Sequence, residues 1–256
     1  MSVKLSRHGD VAVITLDRPE ARNALNAAMI ARIGELIDEA AATAPRALVI
    51  TGAGGKAFCA GADVKELLGK SEAQQRETAQ AGQRTFAKLD SLQCPSLALI
   101  QGVALGGGLE LAMACTFRVA SAGSRFGLPE IKLGLIPGYG GTQRLPRLVG
   151  QARAVEMIAS GRMVEAEEAE HIGLIHQLVQ IDDPVEAALQ FLAGLGERFP
   201  AAMKLARTAV ELALTVPLEQ GLELEADLFG AVTQTADAGE GIRAFLEKRK
   251  PAFTGS

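Results

Sequence analysis

The chain has 256 residues, 48% of them hydrophobic and 22% charged, with Lys+Arg 26 against Asp+Glu 30 and a formal net charge of −4. That is a globular composition, on a length that buries a sizeable core as one large domain or a domain with an appendage. The acidic balance argues against a broadly basic nucleic-acid-binding surface, and the apolar runs, such as residues 96–105, are too short to span a bilayer.

The first residues, MSVKLSRHGD, show neither the apolar stretch of a secretory signal nor the Arg- and Ser-rich pattern of a transit peptide. Residues 11–16 (VAVITL) then read as a strand that stops at Asp17-Arg18-Pro19. Leu25, Met29, Ile33, Leu36 and Ile37 recur at helical spacing, with Asn23 or Asn26 as the cap. Residues 47–51 (ALVIT) and 96–100 (SLALI) are apolar strands closed by glycines, and residues 117–120 (FRVA) form another short strand. Asp63 and Lys65 mark a helix start in AGADVKEL. After about Gly150 the pattern turns all-helical, over 151–160, 165–172, 185–198, 203–214 and 217–234. A strand, glycine turn and helix recur weakly in the first part, and the final PAFTGS is expected to fray.

Cys59, Cys94 and Cys115 lie far apart and show no metal-ligand spacing with His8, His171 or His176. Reduced thiols, a cytoplasmic location and no metal site are the expectation. Trp is absent and aromatics are 4%, so the core must be mostly aliphatic.

Two glycine clusters fail as nucleotide loops. Beside Gly54-Gly55-Lys56, position 57 is Ala where a metal-binding Ser or Thr belongs, and position 50 is Ile where the first glycine belongs. Gly138-Tyr139-Gly140-Gly141 lacks the third glycine of G-x-G-x-x-G, because position 143 is Gln. Gly106-Gly107-Gly108, between an apolar strand and the helical LELAMA, supports two readings: a tight packed turn, or a helix start whose free N–H groups stabilise an anion or an enolate oxygen.

Glu110 and Glu130 are the acid–base candidates. Glu110 lies among Leu109, Leu111, Ala112 and Met113, and Glu130 lies in FGLPEIKLGLIPG. Apolar surroundings raise a carboxyl pKa toward the working range of a general acid or base. The plain alternative is an acidic residue that favours the helix dipole. No histidine or serine has the context of a nucleophilic triad, and the run EAEEAE at 165–170 reads as a solvated helix face.

Taken together, FCAGADVKEL (58–67), QGVALGGGLELAMACTFRVAS (101–121) and FGLPEIKLGLIPGYGGTQRLPRLVG (126–150) resemble the enoyl-CoA hydratase/isomerase (crotonase) family, as do DRPEARNALN (17–26) and FLEKRK (245–250). The resemblance spans almost the whole chain in order. It implies an α/β fold, a spiral of repeated β–β–α units over residues 1–200, and a helical C-terminal assembly region over 201–256. It also implies a homotrimer or a dimer of trimers.

By the same resemblance, the N–H groups of Ala62 and Gly107 would form an oxyanion hole. Glu110 would activate water and Glu130 would exchange the proton at C2 of an acyl-CoA thioester. Segment 62–65 (Ala62, Asp63, Val64, Lys65) would line the acyl-CoA channel, Arg22, Ala24 and Ala60 would meet the CoA moiety, and Pro137, Gly138 and Tyr139 would also touch substrate. The implied reaction is water addition to a 2-enoyl-CoA in fatty-acid or related catabolism. It needs no metal or redox cofactor, since CoA arrives with the substrate, and neither nucleic acid nor membrane is an expected partner. The rivals are an enoyl-CoA isomerase working with one glutamate, another acyl-CoA hydratase or lyase, and an idle assembly or RNA-binding member of the fold. Tyr139 departs from the family pattern, in a turn where a small residue is common, and leaves the acyl length open.

Overall fold

The computed structural model describes residues 2–195 and 201–255. The chain divides into two compact units, residues 1–191 and 192–256.

In chain order the first unit holds β1 (Val3–His8), β2 (Val11–Leu16), α1 (Ala27–Ala41), β3 (Ala47–Gly52), β4 (Ala57–Cys59) and α2 (Glu72–Asp90). There follow β5 (Ser96–Ile100), β6 (Val103–Leu105), α3 (Gly107–Ala114), β7 (Phe117–Ala120), β8 (Arg125–Gly127), α4 (Gly141–Val149) and α5 (Gln151–Ser160). The unit closes with β9 (Val164–Glu165), α6 (Ala166–His171), β10 (Gln177–Leu178) and most of α7 (Pro184–Gly194).

The β–β–α repeat shows in how the strands are shared out. β3, β5 and β7 enter a six-stranded sheet of order β1-β2-β3-β5-β7-β10, while β4, β6 and β8 enter a four-stranded sheet of order β4-β6-β8-β9. Each repeat therefore sends its first strand to one sheet and its second to the other. From β2 to β10 the larger sheet is parallel, and only the β1–β2 hairpin is antiparallel. Every residue of β3 and β5 is buried, which is why they read as unbroken apolar runs rather than alternating ones.

The core is aliphatic, as composition requires, with Ile14, Leu16, Leu48, Ile50 and Ile100 at its centre and Phe58, Phe86 and Phe126 as its large aromatics. α1 buries Met29, Ile33, Leu36 and Ile37, the residues whose spacing marked it. Each such side chain contributes roughly 1.5–3 kcal/mol by leaving water.

Asn26, not Asn23, caps α1, accepting from the N–H of Met29 at 2.9 Å. Asn23 has a different task. It is fully buried in the left-handed region at φ 56, which Asn tolerates better than most residues. Its amide donates to the carbonyls of Ala53 (3.0 Å) and Ala57 (2.8 Å), and its oxygen accepts from the N–H of Arg18 at 2.9 Å. Asp63 begins a 3-10 turn, Val64–Leu67, rather than an α-helix.

The second unit contains α8 (Ala201–Leu212), α9 (Leu218–Val232) and α10 (Ala236–Leu246), with α8 packed on α9. Residues 196–198 of the expected helix 185–198 lie outside the described residues. Of the final PAFTGS, Ser256 lies outside the described residues and the rest is tied down: Ala252 N–H donates to Glu240 at 2.9 Å, and Thr254 and Gly255 N–H donate to buried Asp237 at 2.7 and 2.8 Å. Among the described residues no helix is long and apolar enough to cross a membrane.

The two asparagines give a direct check on this reading. Asn23→Ala removes three hydrogen bonds, those to Ala53, Ala57 and Arg18, at a fully buried residue and strains the backbone, so urea unfolding should show a loss of roughly 2–4 kcal/mol. Asn26→Ala removes one cap and should lose about 1 kcal/mol. Equal losses would contradict the assignment of the buried network to Asn23.

Candidate active site

The site begins at a short parallel bridge between Leu25 and Ala62. Leu25 N–H donates to Gly61 C=O at 2.8 Å, and Asp63 N–H donates to Leu25 C=O at 2.7 Å. In such a ladder the residue between the two bonded groups turns its own N–H to the opposite side. That residue is Ala62. Gly107 is the first residue of α3, so its N–H has no partner within the helix. Among the described residues neither N–H has an acceptor. The two groups are neighbours, since a Cβ on Gly107 would sit 3.5 Å from Ala62 N.

The glycine triplet makes this approach possible. Gly106 has φ 50 and ψ −126, a conformation open to glycine, and a Cβ there would meet Glu130 Oε1 at 2.8 Å. A Cβ on Gly108 would meet the Cys59 carbonyl at 2.3 Å, so the start of α3 lies directly on β4.

Glu110 stands in the first turn of α3 and is 1% exposed. Its Oε1 accepts from Tyr139 N–H at 2.8 Å and Gly141 N–H at 2.7 Å. The second glycine cluster thus cradles a carboxylate rather than a phosphate. Burial pushes the Glu110 carboxyl up to about 7, the Gly141 N–H opposes that rise, and the charge of Glu130 adds to it.

Glu130 lies in a 3-10 turn, Pro129–Leu133. Its Oε2 is buried and accepts no hydrogen bond from the described residues, and burial raises its pKa above the ordinary value. Two carboxyl groups in this setting favour one protonated and one ionised partner.

Both glutamates line a cavity of about 640 Å³. Ala62, Val64, Gly107, Gly138 and Tyr139, also singled out in the sequence, line it with them. The remaining singled-out residues do not. Arg22 is exposed and its carbonyl accepts from Ala60 N–H at 3.0 Å, which ties the loop holding Ala24 to the end of β4. Asp63 is engaged by Arg18 at 3.0 Å, which holds its carboxyl below the usual range, and by Lys65 N–H at 3.3 Å. Lys65 is exposed, and Pro137 packs against Gly141.

Sequence reasoning missed the rest of the lining: Leu67 and Leu68 in the turn after Ala62, Gln75, Thr78 and Ala79 on α2, and Leu133, Leu135 and Ile136 after Glu130. The sequence offers only the apolar character of Leu67, Leu68, Leu133, Leu135 and Ile136 as a signal; the fold then leaves Leu68, Leu133 and Ile136 exposed rather than in the core. The cysteines are free and buried, and burial pushes Cys59 and Cys115 up to about 12. His176 accepts from Arg118 N–H through Nδ1 at 3.1 Å, a structural bond. Among the described residues no cluster of three His, Cys, Asp or Glu could hold a metal.

Comparison with known proteins places the chain in a family. The profile described as enoyl-CoA hydratase/isomerase matches residues 6–256. The chain is 38% identical to a short-chain-enoyl-CoA hydratase of Clostridium acetobutylicum over 253 residues, 97% of this chain and 96% of the other. It is 40% identical to a 2,3-dehydroadipyl-CoA hydratase of Escherichia coli over 252 residues, 98% of each chain. The crystal structure of an enoyl-CoA hydratase from Bacillus anthracis superposes with a TM-score of 0.92 at 38% identity, covering 100% of both chains. With a matching profile over nearly its full length and the two-sheet fold in common, the chain belongs to the enoyl-CoA hydratase/isomerase family.

Proposed function

We propose that the chain adds water across the C2–C3 double bond of a 2-enoyl-CoA to give a 3-hydroxyacyl-CoA. The observation that carries this reading is the convergence of the buried Glu110 and the half-buried Glu130, whose Oε2 is out of solvent, on one apolar cavity beside two free peptide N–H groups.

The thioester oxygen would accept from Ala62 N–H and Gly107 N–H, which stabilise it as negative charge develops; one such donor is worth about 10²–10³ in rate. Glu110 keeps one oxygen in the grip of Tyr139 and Gly141, and its other oxygen takes a proton from water as the water oxygen bonds to C3. Glu130, protonated, gives its proton to C2. The product gains one water, and each carboxyl group ends in the other's starting state. Relaxation through solvent restores the pair. The reaction draws on no metal or redox cofactor, because CoA supplies the thioester that activates the double bond.

For assembly, a homotrimer or dimer of trimers is the matching proposal. Val210, Leu214 and Leu222 are exposed apolar residues of the second unit, while Leu205 and Leu224 are half-buried. A solution mass of three or six times 26.7 kDa is expected, and a stable monomer at micromolar concentration would contradict it.

Gln keeps the shape of Glu but exchanges no proton in this range. Glu110→Gln and Glu130→Gln should each lower but-2-enoyl-CoA hydration by about 10²–10⁴ per folded molecule. The double variant should lose far less than the product of the two. A chain that only isomerises would lose double-bond migration in one variant and keep it in the other. Retention of hydration by Glu110→Gln would defeat the hydratase reading.

A stability measurement reads the same carboxyl without substrate. The Glu110 pKa rises from 4.5 to about 7 on folding, so between those values the folded chain holds more protons than the unfolded one. Its contribution to stability is full below the unfolded pKa and is lost as pH rises through the folded one. The melting temperature of Glu110→Gln relative to the parent should therefore climb between about pH 5 and about pH 8. A flat or falling difference would show that burial does not raise this group.

A further inference from the structure

Tyr139 is held in place at both its backbone and its ring. The peptide N–H is bonded to Glu110, so the residue cannot swing away without releasing that carboxylate. The ring lies between two glycines. A Cβ on Gly82 of α2 would meet Tyr139 Cδ1 at 2.4 Å, and a Cβ on Gly107 would meet Cδ2 at 2.9 Å. Glycine inside a helix costs about 1 kcal/mol relative to Ala, so Gly82 is an unfavourable choice for α2 alone. Its missing side chain is the notch that receives the ring. Phe86, one turn further along α2, meets the ring edge to face, with centroids 5.7 Å apart and planes at 83°. Tyr139 is 8% exposed, yet it lines the cavity.

The ring thus fills the space between α2 and the start of α3, immediately beside the N–H of Gly107. An acyl chain whose carbonyl lies at Ala62 and Gly107 meets this ring when it runs inward between the two helices. We infer that Tyr139 is a specificity-determining residue whose ring closes the inner end of the acyl cavity, so that the site takes short-chain 2-enoyl thioesters. The inference rests on the acyl-thioester reading of the cavity given above. Its hydroxyl stays protonated at neutral pH, because burial and Glu110 push its pKa up to about 12, so the wall is uncharged.

The test is a binding titration with saturated thioesters, which reads the cavity without the reaction. Butyryl-CoA and decanoyl-CoA are titrated into the parent chain and into Tyr139→Phe, Tyr139→Leu and Tyr139→Ala. The parent and Tyr139→Phe should bind decanoyl-CoA no more tightly than butyryl-CoA. Tyr139→Ala should shift the ratio of the two dissociation constants toward decanoyl-CoA by at least about tenfold, the effect of even a single methylene in a well-formed pocket. Tyr139→Leu should shift it in the same direction, and it carries the test if the alanine variant does not fold. Binding of both esters with an unchanged ratio in a folded variant overturns the role of Tyr139 alone. A folded parent that binds neither ester overturns the acyl-thioester reading and the inference with it.

Discussion

The site depends on how one buried carboxylate is held. Glu110 leaves water almost completely, which would keep an isolated carboxyl neutral. Two peptide N–H groups, at 2.8 and 2.7 Å on a single oxygen, offset that penalty enough to leave its pKa at about 7. The donors come from a turn far along the chain, so that turn must present its backbone rather than its side chains. Gly140 at φ 117 turns the chain, and Gly141 lets Glu110 Oε1 within 3.0 Å of where its Cβ would be. Once the turn is fixed, the ring of Tyr139 is fixed with it.

The two-sheet architecture sets the same kind of demand at its corners. A Cβ on Gly52 would meet the Phe58 carbonyl at 2.4 Å, and one on Gly102 would meet the Lys56 carbonyl at 2.1 Å. These are backbone contacts, which cannot rotate aside. At these two crossings, β3 to β4 and β5 to β6, the chain passes from one sheet to the other where a side chain is missing. The α3 helix then follows β6 directly, and its first N–H groups emerge beside the segment that carries Ala62. In the proposed mechanism the stabilisation of the thioester oxygen would therefore rest on main-chain groups whose positions glycine makes accessible.

This explains what could be read in the sequence. β3 and β5 announced themselves as apolar runs because both faces are buried, and α1 did so through a clean stripe. Glu110 stood out as a charge among apolar neighbours. The family resemblance, carried by strings around Ala62, Gly107, Glu110 and Glu130, supplied roles that composition could not. α2 left no such trace. Its buried face is Gly82, Thr85, Phe86 and Leu89, too short and mixed to form a stripe, although it forms one wall of the cavity. β4, β6 and β8 are three residues each, below the length at which alternation is visible. The sequence left the cap open between Asn23 and Asn26, because the partners of Asn23, Ala53 and Ala57, are contacts of the folded chain and not of its local sequence.

The central claim is that this cavity adds water rather than moving a double bond. Incubation of but-2-enoyl-CoA with the parent chain in oxygen-18 water and deuterium oxide tests it most directly. The account predicts 3-hydroxybutyryl-CoA with the heavy oxygen on C3 and one deuterium on C2. A product that has gained no oxygen, with the double bond shifted to C3–C4, would contradict it.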